Sequence, residues 1–504
     1  MLGKIKFWHA LKSVLKENID RYPIRLLFLF MFVACLFYIL VWKNAPIMVT
    51  DSSAYLRIAQ DLQDNLKLDE VHGRVPGYPI LLLLTNSSEE PTRFLFFTQL
   101  FLHFGAVLLL VYFLNYLTIS KKIIALFLFL ALIPPSVVLT AYVLTETLTQ
   151  FLIIMGVVFL LLGIDKGKVF FIIISSIALS LAALVRPTFQ LVFIIPFGFV
   201  ILYMFLTRKA RRQLILGAII ILLFPSLILG GFAWSNYKNH HFFGLTPLLG
   251  FNLSTRTARF IEELPDEYAQ VRKTLIRIRD RERVAYRTEG SKRPWHNSSH
   301  NGLLYIWLTV PELQRITNIK NLPELSNDLL KLNLLLIRKA PLQYLKEVLI
   351  ALPTYWLPLT TDISNFHSKI IQFFWMAIHF VAITLFFILV PLLVGCRFFL
   401  GTLPTQIKER RRFQMANDTI FLFGFLVAVT IIVYTMLVSV GVEVGNPRHR
   451  APTDLLISFT IVLGIHFWIQ MRKSLIKISS STLEVIENGQ KTSHKTDLSH
   501  SVLS

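Results

Sequence analysis

Runs of about 20 apolar residues, the length a helix needs to cross a hydrocarbon core, recur through this 504-residue chain. They fall near 25–45, 92–118, 122–139, 142–163, 168–185, 188–206, 213–233, 370–396, 418–440 and 452–471. Each is continuous instead of alternating, which predicts helices and not the strands of a barrel. Hydrophobic residues make up 54% of the chain and charged residues only 16%, so too little polar surface remains to keep such runs in water. The expected fold is an all-α polytopic membrane protein of about 10–12 transmembrane helices with a mixed extracytoplasmic loop domain.

The formal charge of +21 is distributed in a way that orients these spans. Basic clusters occur at Lys4, Lys6, Lys12 and Lys16, at Lys121 and Lys122, at Arg208–Arg212, at Lys408–Arg412, and at Arg472 and Lys473. Ten crossings with the N-terminus inside put all of them in the cytoplasm, as the positive-inside bias requires. The charges alternate with spans and form no soluble basic domain, which argues against nucleic acid as a partner. The expected organisation is a cytoplasmic segment 1–24, an N-terminal membrane module 25–233 whose first outer loop is 46–91, and a large extracytoplasmic loop 234–369. A C-terminal membrane module 370–471 and a cytoplasmic tail 472–504, disordered from about 478, complete it. The first run is expected to be a retained helix and not a cleaved signal. Segments 329–337 and 341–358 are expected to lie in the interface or re-enter the membrane.

Two cysteines, Cys35 and Cys396, cannot build a disulfide framework or a thiolate metal site. His240 and His241 are adjacent and point apart on a helix, so a metal pair is not expected. No cofactor is called for; a divalent cation is compatible with the residues but nothing in them indicates one.

The residues that carry chemistry gather outside the spans. Asp51 follows the first run and either caps the next helix or acts as a general base whose pKa is raised at a partly desolvated interface. The turn His72-Gly73-Arg74-Val75-Pro76-Gly77-Tyr78-Pro79 follows. Its prolines and glycines make it rigid, so Arg74 is expected to present a planar fork to a phosphate, and this favours catalysis for Asp51. Tyr78 either packs at the interface or lines a sugar site. Glu146, one turn into a span after Pro134-Pro135, is an intramembrane acid and therefore a functional candidate; it is expected to orient an acceptor or hold an arginine. Arg186 before Pro187, and Arg448 and Arg450 before the last span, join Arg74 on the outer side. If the four converge, they predict an anion site there. The Arg272–Arg283 run reads as a solvated helical face.

These pieces resemble the GT-C class of membrane glycosyltransferases, in the branch similar to dolichyl-phosphate-mannose protein mannosyltransferases and bacterial aminoarabinose transferases. The matching residues are Asp51-Ser52-Ser53-Ala54-Tyr55 with Ile58-Ala59, then Arg74-Val75-Pro76-Gly77-Tyr78-Pro79, and Thr145-Glu146-Thr147. Arg186-Pro187, the Trp234-to-Asn252 segment with Gly244 and Asn252, and Arg448-His449-Arg450-Ala451-Pro452 follow in the same order. The chain departs from the pattern at Ser235-Asn236-Tyr237, where many relatives have Arg-Asn-Tyr, and it lacks a clear counterpart of a second outer-loop acid.

The resemblance implies a GT-C-like architecture. It also implies transfer of one sugar from a polyprenyl-phosphate carrier to an acceptor glycan, lipid or protein on the non-cytoplasmic face, in a bacterial plasma membrane. Asp51 and Glu146 would be catalytic, and Tyr55, Arg74, Tyr78, Arg186, Arg448 and Arg450 would bind substrate. A transporter or flippase of a lipid-linked or anionic substrate is the alternative, although no duplicated halves appear.

Overall fold

A computed structural model describes residues 45–49, 51–65, 73–132, 137–207, 211–288, 303–358, 369–402, 418–443 and 445–473. The first apolar run, the N-terminal basic segment and the tail beyond 473 lie outside the described residues.

Among the described residues, seven helices are long and apolar enough to cross a membrane: Arg93–Tyr116, Glu146–Lys166, Pro187–Thr207, Arg211–His240, Met376–Gly395, Thr419–Val442 and Pro447–Lys473. The chain is a multi-pass membrane protein. In chain order the helices are α1 (Ser52–Asn65), α2 (Gly77–Leu84), α3 (Arg93–Tyr116), α4 (Lys121–Ala131), α5 (Glu146–Lys166), α6 (Val169–Val185), α7 (Ile194–Thr207) and α8 (Arg211–His240). After them come α9 (Leu249–Thr257), α10 (Ala269–Thr288), α11 (Leu303–Thr317), α12 (Leu322–Lys339), α13 (Pro341–Trp356), α14 (Lys369–Thr402) and α15 (Asp418–Val442). The last span, Pro447–Lys473, is α16. Helix α6 is apolar but shorter, and it packs between α5 and α8. Gly156, Gly163 and Gly217 let these helices approach closely, because an added Cβ would fall 2.5–2.7 Å from side chains of α6.

One expected span is different. The run near 122–139 forms only α4, 11 residues long, about 17 Å at 1.5 Å per residue. The cause is local: Pro134-Pro135 cannot continue a helix. Residues 137–145 then return through a short 3₁₀ turn, Leu139–Ala141, into an irregular stretch at 143–145, and are buried throughout. Irregular backbone survives in a membrane protein only where protein satisfies its polar groups, and here it does. Gln99 on α3 donates through Nε2 to the carbonyls of Thr140 (3.0 Å) and Tyr142 (2.9 Å). The Ile47 amide donates to the Ala141 carbonyl and the Val143 amide to the Ile47 carbonyl. Ser52 Oγ donates to the Val143 carbonyl at 2.9 Å. The segment before α1 is thereby fastened to the segment before α5.

Among its described residues the large loop is mostly helical, with non-helical links at 241–248 and 318–321. Leu325, Leu329, Leu332 and Leu336 recur on one face of α12 and bury against Phe251, Leu275 and Ile278, the amphipathic pattern of a helix laid on a core. Gly250 of α9 meets α12 so closely that a Cβ would lie 1.8 Å from the Ser326 carbonyl oxygen. The segments expected to be interfacial or re-entrant are α12 and α13, and neither is among the seven spans. Helix α13 docks on α15, where Tyr344 donates its hydroxyl to the Gly441 carbonyl at 3.0 Å.

Gln99 also accepts the Tyr78 hydroxyl at 3.1 Å. Replacing it by leucine strands the Thr140 carbonyl and the Tyr78 hydroxyl, and leaves the Tyr142 carbonyl with the Leu144 amide. Gln99→Leu is expected to destabilise the fold by about 1–3 kcal/mol for each group left unpaired. A melt of the purified protein in detergent checks this; an unchanged midpoint would exclude the clamp.

Candidate functional site

Five separate pieces of chain converge at one end of the bundle. Asp51 stands directly before α1, and its backbone is held where Ser52 Oγ accepts from the Val49 amide at 3.0 Å. Arg74 lies in the turn before α2. Gly73 there has φ +69°, a conformation that favours glycine, and Gly77 sits where a Cβ would be 2.6 Å from the Leu184 carbonyl oxygen. This turn is also tied to the large loop, because Thr246 donates its hydroxyl to the Gly73 carbonyl at 2.7 Å. Glu146 opens α5, and Arg186 ends α6. Arg448 lies in a 3₁₀ turn whose first amide is capped by the Asn446 side chain, with Arg448 N donating at 2.9 Å.

These side chains form one continuous charge ladder. Arg74 Nη2 donates to Asp51 Oδ1 at 2.7 Å, and Arg448 Nη1 donates to Asp51 Oδ2 at 2.8 Å. Arg448 Nε also donates to Glu146 Oε1. Arg186 Nη1 donates to that same oxygen at 2.9 Å. Glu146 is 1% exposed and its Oε2 has no partner among the described residues. Three guanidiniums face two carboxylates along the ladder, so it carries one positive charge in excess.

A cleft of about 570 Å³ opens on this ladder, lined by Asp51, Tyr55, Arg74, Arg186, Arg448 and His449 on the charged side. The facing wall comes from the 242–250 segment, Asn252 and residues of α12. Leu191, Tyr434, Val438 and Val442 add an apolar flank that continues onto α15. Tyr55 lies under Arg74, with the guanidinium carbon 5.4 Å from the ring centre, a cation–π arrangement.

The geometry separates the expected residues into two groups. Asp51, Tyr55, Arg74, Arg186 and Arg448 line the cleft. Glu146 lies behind it, holding Arg186 and Arg448. Tyr78 does not line the cleft: it is fully buried, donates to Gln99 and packs edge-on against Tyr55 at 5.2 Å. Its place in the turn puts its ring toward the α3 core. Arg450 is also turned away. It is 1% exposed and donates to the carbonyls of Tyr355 and Leu357 and to Asp454 Oδ1, so it joins the end of α13 to α16. Two residues along a 3₁₀ turn point in different directions, which is why Arg448 and Arg450 part.

The expected rise in the Asp51 pKa is also corrected. Burial alone would raise it, but the charges of Arg74 and Arg448 outweigh burial and bring the carboxyl below its ordinary value. Both of its oxygens are engaged by guanidiniums.

Sequence reasoning passed over Glu443 and Tyr434. Glu443 lines the cleft and pairs with His449 Nδ1 at 2.6 Å; Ser439 Oγ lies 3.0 Å from the same nitrogen. An acid immediately before the Gly445-Asn446-Pro447 turn was the available signal. Tyr434 donates its hydroxyl to the Thr188 carbonyl at 2.6 Å and had none, because a tyrosine inside a span reads as packing. Among the described residues no group of three or more His, Cys, Asp or Glu side chains comes together as a metal site.

Burial would raise the Glu443 carboxyl, yet His449, Arg186 and Arg74 bring it from 4.5 to about 2. A depressed carboxyl stabilises the fold above its unfolded pKa, and this contribution is lost as pH falls through the folded value. The protein is therefore expected to lose thermal stability as pH drops from 4.5 toward 2, and Glu443→Gln to lose it less steeply. Melts across that window check the slope; parallel curves would contradict the pairing.

No family model and no curated protein matches the chain. Among solved structures the chain is similar to the archaeal oligosaccharyltransferase AglB from Archaeoglobus fulgidus, in complex with an inhibitory peptide and a dolichol-phosphate. The TM-score is 0.47 and the identity 12%, over 92% of this chain and 52% of that one, so the chain spans about half the length of that protein. At this distance the likeness carries no functional argument, and the chemistry rests on the cleft's own residues.

Proposed function

We propose that the protein is an integral-membrane glycosyltransferase. It moves a single sugar from a polyprenyl-phosphate donor to an acceptor hydroxyl of a glycan, lipid or protein, on the extracytoplasmic face and with inversion. The observation that carries this reading is a carboxylate set between two guanidiniums in a cleft that has an apolar flank.

A sugar on a lipid phosphate has a good leaving group already. Two tasks remain: removing the acceptor's proton and stabilising charge on the departing phosphate. The acceptor oxygen attacks the anomeric carbon from the face opposite the phosphate, forming the new C–O bond as the old one breaks. Its proton goes to Asp51, the general base. The electron pair of the broken bond stays on the isoprenyl phosphate, where Arg74 and Arg448 bind the developing charge. Bidentate guanidinium geometry suits phosphate oxygens better than a point charge would. Arg186 and Glu146 position Arg448, and the apolar flank of Leu191 and Val438 suits the start of an isoprenoid chain. The proposal uses no metal.

A transporter of the same anion is the second reading. The charged groups gather at one end of the bundle and not at its midplane, where alternating-access sites lie, and this favours transfer.

Asp51→Asn is expected to fold and insert but to lose transfer by about 10²–10⁴, the usual contribution of a general base. Reconstituted liposomes given a labelled polyprenyl-phosphate sugar and membrane acceptors provide the assay. Movement of label across the bilayer without transfer would favour the transporter, and full transfer by Asp51→Asn would exclude the base assignment.

A further inference from the structure

Both oxygens of Asp51 are occupied. Oδ1 accepts from Arg74 and Oδ2 from Arg448, at 2.7 and 2.8 Å. A carboxylate held this way is a poor proton acceptor, because protonation would forfeit two charge-assisted hydrogen bonds. The same two guanidiniums are the groups that a phosphate would need. The base and the phosphate site thus block each other in the empty cleft.

We propose that Asp51 is masked by its own arginines until a phosphate headgroup displaces it. This inference rests on the glycosyltransferase reading and adds a regulation to it. In the empty enzyme the carboxylate stands in for the phosphate. Arriving phosphate oxygens take the donors of Arg74 and Arg448, and Asp51 is released beside the bound sugar. No covalent bond changes in this step; one anion replaces another on fixed cations.

The surroundings suit such an exchange. Arg74 rests on the Tyr55 ring, a platform that holds the guanidinium plane whichever anion faces it. Arg448 keeps its Nε on Glu146 while its Nη1 serves Asp51, so one side of the fork can change partner as the other stays anchored. Glu146 and Tyr78 are both buried, and neither lines the cleft. The consequence is an order: the donor enters before the acceptor is activated, and water in the empty cleft meets no free base.

The test is binding of a short isoprenyl monophosphate, farnesyl phosphate, to the full-length protein in detergent, read by isothermal titration calorimetry. If the carboxylate competes with the phosphate, Asp51→Asn binds it more tightly, by roughly tenfold for the charged hydrogen bonds that no longer oppose it. Arg448→Ala binds it more weakly than wild type. Glu443→Gln removes one negative charge from the same cleft without freeing either guanidinium, and is expected to change affinity far less than Asp51→Asn. Asp51→Ser serves as the second variant if Asp51→Asn fails to elute as a folded particle. Equal affinity in wild type and the Asp51 variants overturns the masking while leaving the phosphate site intact. Equal tightening by Glu443→Gln also overturns it, since general electrostatics would then be sufficient. Failure of wild type to bind farnesyl phosphate overturns the lipid-phosphate reading itself, and the masking with it.

Discussion

Arg448 joins the two halves of the molecule's charged end. Its guanidinium reaches Asp51, 397 positions earlier, and Glu146, 302 positions earlier. Charges taken out of water are tolerated only when paired, and a buried pair broken on one side leaves the other uncompensated. Arg448 bridges the Asp51–Arg74 and Glu146–Arg186 pairs, which balance in charge without it, and so brings the one positive charge in excess. Its position is set in turn by the last span. Gln150 on α5 donates to the Ala451 carbonyl at 3.0 Å, and Arg450 fastens the same turn to α13. A polar residue inside a span and a buried arginine, each outside the cleft, hold the charged groups in place.

This arrangement explains how a site with so many charges persists beside apolar helices. The ladder is self-complementary: each carboxylate meets two guanidiniums, and only a single positive charge is left over. That residual charge suits an anion, and the pairing keeps it from costing the full penalty of an exposed cluster at the membrane boundary. In the proposed function, stability of the empty site and affinity for a phosphate would draw on the same hydrogen bonds.

Much of the architecture was legible because hydrophobic length is a local property. Runs of sufficient length had to become helices, and α3, α5, α8 and α15 lie where their apolar residues put them. The run at 122–139 misled because hydropathy does not register backbone geometry. Helix α4 ends at Ala131, and the buried return was made viable by Gln99, a residue that reads from sequence as an ordinary polar interruption. The loop's helical character was partly legible at α10 and α12 through their periodicity. The fit of α9 against α12 at Gly250 was not, since it depends on contact between distant segments.

The sequence by itself determined which groups are available: an aspartate beside a turn stiffened by proline, an acid at the head of a span, and four arginines in turns or at helix ends. Their residue types and their position at helix boundaries follow from solvation, since ions are excluded from hydrocarbon. Only the tertiary structure decided that Arg74, Arg186 and Arg448 share a cleft while Arg450 and Tyr78 face inward. It also decided that Asp51 is doubly paired, with its pKa lowered instead of raised. Hydropathy says how deep a residue lies; direction around a turn, and the partner met there, depend on packing between segments hundreds of residues apart.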